Sequence, residues 1–230
     1  WGAFTLGIVP YIANPVLHAA AAAFEGLQFA VMGGAFVGVL VLFIVPITLL
    51  GTISPFAIRL SMEDTAHAGQ TSGRIYAIST LGSFIGTFLP TLVLIPTIGT
   101  TRTFLVFSVL LLCVAIAGMA LNGERKQALI HLWMVAALAV IAMLGAGQKL
   151  KNSEGQVYET ESAYNYIQVI QRDGYTMLRL NDGEGIHSIY HPDVLYYGGP
   201  WELFLVGPYF NPGITPSDVH RIGIVGLAAG

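Results

Sequence analysis

The chain has 230 residues, of which 54% are hydrophobic and only 10% charged, with a formal net charge of −3. An ordinary soluble domain carries about 25% charged residues, so this composition excludes a wholly soluble protein. No basic patch is present, which excludes nucleic acid as a partner. The single cysteine, Cys113, allows neither an intrachain disulfide nor a thiolate metal cluster, and reads as a small apolar packing residue.

Charge is unevenly spread. Residues 1–150 hold six basic and four acidic side chains, and residues 151–230 hold four basic and nine acidic ones. The shift marks a boundary near residues 148–155. The chain opens inside an apolar stretch and closes in a Gly/Ala turn, so both ends read as cut.

A bilayer span needs about 20 apolar residues, because ~30 Å of hydrocarbon is crossed at 1.5 Å per residue. Four stretches qualify: 29–51, 75–101, 103–123 and 127–148. None shows the polar stripe of a soluble amphipathic helix. Residues 1–24 are uncharged but interrupted by Pro10 and Pro15, and read as a fifth span, a partial span or a re-entrant piece. Pro46 falls inside the 29–51 run, where a kink is tolerated if neighbours satisfy the freed carbonyl.

Gly34 with Gly38, and Gly82 with Gly86, are four residues apart, a spacing that lets helix backbones approach closely. The stretch from Gly51 to Leu60 reads as a turn, with Arg59 and Arg74 as basic anchors for lipid phosphate or a helix end. No Asp, Glu, Lys or Arg stands mid-span, which argues against a transport path through this chain. Basic residues divide almost evenly between the two loop sets, so the positive-inside rule does not orient the bundle.

From Gln156 the pattern turns to strands. Tyr164–Ile170 is rich in aromatic and β-branched residues, Asp173-Gly174 is a hairpin signal, and Thr176–Leu180 returns. Asn181-Asp182-Gly183 turns again. Trp201–Val206 reads as a short helix. Arg221-Ile222-Gly223-Ile224-Val225 reads as an apolar strand running into Gly226-Leu227-Ala228-Ala229-Gly230. Small residues after a strand let a cofactor approach the backbone, although a plain tight turn in an α/β sheet explains them equally well. Asp182, Glu184 and Asp193 read as solvated turn residues. His187 and His191 are four apart, but Pro192 argues against a helical metal pair.

The order of these parts resembles the spermidine synthase family. The resemblance is carried by Tyr158-Glu159-Thr160-Glu161-Ser162-Ala163-Tyr164-Asn165, then Leu180-Asn181-Asp182-Gly183, then Ile222-Gly223-Ile224-Val225-Gly226-Leu227-Ala228-Ala229-Gly230. The membrane segment, notably Arg74-Ile75-Tyr76-Ala77-Ile78-Ser79-Thr80-Leu81-Gly82-Ser83, resembles the fused major-facilitator/spermidine-synthase proteins. The resemblance implies an α-helical transmembrane bundle over 1–150. It implies a small antiparallel β domain over 156–216 and the first strand of a Rossmann-like α/β domain over 217–230.

It further implies aminopropyl transfer from decarboxylated S-adenosylmethionine to a polyamine, without a metal. Gly226, Ala229 and Gly230 then fall in the cofactor loop. Asn165 stands where the family has a substrate-holding Gln. Two departures are visible: Ala229 replaces a cofactor-contacting carboxylate, and Trp201-Glu202-Leu203 stands near the family's Tyr-His-Glu motif. The family's catalytic Asp would lie beyond Gly230, so the 230-residue chain alone is expected to be inactive. The resemblance implies an integral protein of the inner or plasma membrane with its soluble part cytoplasmic. Its implied partners are the lipid bilayer, a small-molecule polyamine and an oligomer formed through the β domain. Two other readings stay open. One is a transporter-like bundle with a non-catalytic regulatory domain, and the other is an S-adenosylmethionine-dependent methyltransferase.

Overall fold

The computed structural model describes residues 1–24, 30–62, 67–145, 153–162, 164–181, 185–199 and 201–223. The chain forms two compact units, Trp1–Lys151 and Asn152–Gly230.

The first unit is helical. Its elements are α1 (Gly2–Ala23), α2 (Ala30–Gly51), α3 (Ile53–Ser61), α4 (Ala68–Leu89), a π turn (Pro90–Leu94), α5 (Ile95–Ile98), α6 (Thr100–Leu121) and α7 (Arg125–Leu144). Among the described residues, five helical stretches are long and apolar enough to cross a membrane: Gly2–Ala23, Met32–Ser61, Ala68–Ile98, Thr100–Leu121 and Arg125–Leu144. A helix satisfies its backbone groups within the segment, which is what a stretch long and apolar enough to cross a membrane requires.

The N-terminal stretch is therefore one full-length helix running through Pro10 and Pro15. Each proline removes a single backbone donor, and α1 keeps its course because it packs on α2, α6 and α7. The expected turn at Gly51–Leu60 is instead the helix α3. Thr52 bridges α2 and α3: its N–H donates to Thr48 O at 3.3 Å, and its O accepts from Phe56 N–H at 3.1 Å. Pro55 falls in the first turn of α3, where a missing donor costs little.

At Pro90 the ladder shifts, and Ile95 N–H donates to Pro90 O. Pro90 and Pro96 both lack a donor, so the turn between them widens to the π form. Gly99, with φ of 83°, then ends α5 and starts α6.

The packing centre lies between α1, α6 and α7, where Ala3, Leu112, Met134 and Leu138 are buried. Gly7 makes this closeness possible. A Cβ there would stand 2.5 Å from Ser108 Oγ and 2.8 Å from Leu138 Cδ2. Ser108 is fully buried, and its hydroxyl donates to Ala3 O at 2.7 Å. Gly34 and Gly38 of α2 pack on α1, with Cβ positions 3.1 Å from Ala21 Cα and 2.7 Å from Leu17 Cδ2. Gly82 and Gly86 on α4 have no such neighbour within 4 Å, so the same spacing packs in one helix and not in the other. Cys113 is exposed rather than packed: it follows Leu112, the α6 residue that faces the packing centre.

Among its described residues the second unit holds four strands, β1 (Gln156–Glu161), β2 (Tyr166–Arg172), β3 (Tyr175–Leu180) and β4 (Ile186–Tyr190), in one antiparallel sheet in chain order. Asp173 and Gly174 join β2 to β3 with φ of 51° and 83°, the positive pair a two-residue type I′ turn needs. Helix α8 (Trp201–Val206) follows. Residues 221–223 carry no strand, and the remainder of the expected Rossmann-like strand and turn lies outside the described residues.

Candidate functional site

The most organised polar chemistry in the second unit lies on one face of the sheet. Register places Glu159, Gln168 and Arg179 in one row across β1, β2 and β3. Successive strand residues point to opposite faces, so these three share a side. Tyr166 Oη donates to Glu159 Oε2 at 2.6 Å, and Gln156 Nε2 donates to the same oxygen at 2.8 Å. Gln168 Nε2 donates to Gln156 Oε1 at 2.7 Å and to Ser153 Oγ at 2.9 Å. Gln156 and Gln168 are both buried, and a buried amide is tolerated only when it is bonded in this way. Next in the row, Arg179 Nε is buried with no hydrogen-bond partner among the described residues. The face thus combines a fixed carboxylate, a phenol, two amides and a guanidinium.

Asn165 stands at the edge of this face, in the turn from β1 to β2. Its N–H donates to Ser162 Oγ at 2.9 Å, and its O accepts from Ser162 N–H at 2.8 Å. Its side-chain Oδ1 accepts from Asn181 Nδ2 at 2.8 Å. Asn181, with φ of 59°, closes β3, and its Oδ1 accepts from Tyr166 N–H at 3.0 Å. The two asparagines clasp the ends of β2 and β3. Gly226, Ala229 and Gly230 lie outside the described residues, as do Asp182 and Glu184.

A second cluster follows β4. The Tyr175 and His191 rings are 4.7 Å apart, and Tyr175 and Tyr197 are 6.3 Å apart. His191 Nδ1 accepts from Asp193 N–H at 3.0 Å. Glu202 at the start of α8 accepts from the backbone N–H groups of Tyr197, Gly198 (3.0 Å) and Gly199 (3.1 Å). These bonds, that of Tyr197 foremost, hold its carboxyl below the usual range, because they favour the charged form. His187 lies on β4, its Nδ1 3.2 Å from Ser188 Oγ. Among the described residues no group of three His, Cys, Asp or Glu side chains is placed to hold a metal ion.

Sequence reasoning marked Asn165 but missed Glu159, Tyr166, Gln156, Gln168 and Arg179. The available signal was one long polar side chain in each of three successive strands, Gln156 in β1, Gln168 in β2 and Arg179 in β3, on a side where apolar residues would be usual.

Compared with known proteins, the chain matches no family model, no curated protein and no solved structure.

Proposed function

We propose that this chain belongs to a membrane-anchored, spermidine-synthase-like protein that moves an aminopropyl group from decarboxylated S-adenosylmethionine to a polyamine. The observation that supports this reading is the order of parts. Five apolar helices precede a four-stranded antiparallel sheet, and the sheet precedes the run Ile222-Gly223-Ile224-Val225-Gly226-Leu227-Ala228-Ala229-Gly230.

In that reaction the lone pair of a neutral amine attacks the propyl carbon beside the sulfonium. The carbon–sulfur bond breaks, sulfur keeps the electron pair as a thioether, and the new ammonium loses a proton to a base. Such chemistry depends on holding the amine in line with the sulfonium and removing its proton. Asn165 is the residue of this chain assigned to the acceptor side, and Gly226, Ala229 and Gly230 are assigned to the adenosyl cofactor.

The test uses membranes carrying the complete reading frame, with the 230-residue chain as control. They are given decarboxylated S-adenosylmethionine and putrescine, and spermidine is sought by mass spectrometry. Spermidine from the complete protein alone supports the reading. A folded complete protein that makes none removes it, and methyl transfer from intact S-adenosylmethionine is then assayed, since Ala229 replaces the carboxylate expected in the cofactor loop.

A further inference from the structure

His191 joins two parts of the second unit. It follows β4 and opens the segment 191–199 that leads towards α8. The residue is half-buried, and its ring lies 4.7 Å from that of Tyr175 at the start of β3. A Cβ on Gly174 would stand 2.7 Å from His191 Nε2, so the ring is seated directly on the β2–β3 turn.

The same residue closes its own segment. Asp193 N–H donates to His191 Nδ1 at 3.0 Å, and His191 N–H donates to Tyr197 Oη at 3.2 Å. The Tyr197 ring stands 6.3 Å from that of Tyr175, and Tyr197 N–H is held in turn by Glu202 of α8. One imidazole thus ties the turn, the segment and, through Tyr197, the start of α8.

A backbone N–H can only donate, so Nδ1 is the bare nitrogen and the neutral ring carries its proton on Nε2. Imidazole is the side chain that gains a second proton between pH 8 and pH 5, and Nδ1 is the position open to it. Nδ1–H would then meet Asp193 N–H, donor against donor. Turning the ring restores no acceptor, because both nitrogens of the charged form donate, and the close seat on Gly174 resists turning in place.

The ionisable neighbours come from each surrounding element. Asp173 belongs to the turn, with its carboxylate 3.5 Å from Arg172 Nε. Tyr175 stands on β3, and His187 on β4 lies with Nδ1 3.2 Å from Ser188 Oγ. Asp193 and Tyr197 belong to the segment itself, and Glu202 to α8. Three carboxylates against one guanidinium favour a positive ring over a neutral one, so they assist the second proton rather than oppose it.

We propose that His191 is a proton-operated latch. Neutral, it pins the segment 191–199 to the β2–β3 turn; charged, it releases Asp193 N–H and lifts from Tyr175. The latched state is present at the upper end of the pH range and is lost as pH falls. The latch stands independently of aminopropyl transfer, since it uses none of the residues assigned to that reaction.

The test is nuclear magnetic resonance of the full 230-residue chain in detergent micelles, titrated from pH 8 to pH 5. That floor stays above the usual carboxylate range of about 4, so Asp173, Asp193 and Glu202 keep their charge throughout. Two signals are followed: the Asp193 amide shift and the ring-to-ring Overhauser contact of Tyr175 with His191. In the unaltered protein the amide signal is expected to move upfield as its bond is lost, and the ring contact to disappear at pH 5. His191→Asn offers a side-chain oxygen in place of Nδ1 and takes up no proton in this range, so its Asp193 amide is expected to stay still. His191→Phe keeps a ring on Gly174 without an acceptor, and its Asp193 amide is expected at the upfield position already at pH 8. A ring contact that survives at pH 5 overturns the latch. The same amide movement in His191→Asn as in the unaltered protein also overturns it, because another group would then be driving the change.

Discussion

The side-chain amide of Asn181 donates a 2.8 Å hydrogen bond to Asn165 Oδ1, joining two turns sixteen residues apart in sequence. The residue assigned to the acceptor polyamine is therefore also part of the clasp that closes β2 and β3. Replacing Asn165 with Ala removes one neutral hydrogen bond, worth about 0.5–1.5 kcal/mol. The expected outcome is a drop of that size in unfolding free energy, read by urea titration of the sheet signal in circular dichroism. Asn165→Asp keeps an acceptor for Asn181 Nδ2 and is expected to lose less.

The three-helix contact at Gly7 yields a sharper prediction. A Cβ at Gly7 meets Ser108 Oγ at 2.5 Å and Leu138 Cδ2 at 2.8 Å. Gly7→Ala overpacks the α1–α6–α7 contact and is expected to cost about 1–3 kcal/mol. Ser108→Ala alone removes an interhelical hydrogen bond worth about 0.6 kcal/mol. In the double variant part of the Gly7→Ala cost is relieved, because the nearest clashing atom is gone. Denaturation midpoints of the four proteins in detergent check the cycle; strict additivity contradicts this geometry.

Two glycine pairs with the same spacing are expected to behave differently. Gly34→Val drives a branched side chain against Ala21, whose Cα is 3.1 Å from the Cβ position. Backbone there cannot swing aside, so α1 and α2 separate and stability falls by about 1–3 kcal/mol. Gly82→Val meets nothing within 4 Å and is expected to stay within about 0.5 kcal/mol. The comparison is made on the purified chain by thermal unfolding. A large loss at Gly82 would mean that α4 packs against something outside this chain.

Acid dependence is expected at Glu202. Its folded-state pKa is depressed, chiefly by the Tyr197 N–H and also by those of Gly198 and Gly199. A depressed carboxyl stabilises the folded state above its unfolded pKa of about 4.3, and the contribution is lost as pH falls through the folded value. Amide exchange at Gly198 and Gly199 reports this directly. Protection is expected to hold at neutral pH and to fade below about pH 4, while Glu202→Gln shows weak protection with little pH dependence. Equal behaviour of the two proteins would show that the carboxylate does not hold the loop.

Local rules made several elements readable. Long uncharged runs became helices, the form that satisfies every backbone group within its own segment. Asp173-Gly174 became a type I′ turn because both positions need positive φ, and Trp201–Val206 formed the short helix expected there. The span over residues 1–24 was ambiguous in sequence because Pro10 and Pro15 weaken a helix locally; packing of α1 against three neighbours decides it. The turn expected at Gly51–Leu60 failed for a related reason, since Pro55 falls where its missing donor is harmless.

By itself, the sequence determined which segments are apolar, how long each is, and where Gly, Asp and Pro force the backbone to turn. These depend on residues near one another along the chain. Only the tertiary structure decided that Gly34 and Gly38 are contact points while Gly82 and Gly86 are bare surface. It also decided that Ser108 reaches Ala3, that Glu159, Gln168 and Arg179 share one row, and that Asn165 is held by Asn181. Each of these depends on which remote backbone lies within a few ångströms, and helical or strand periodicity shows a side chain's face but not what covers it.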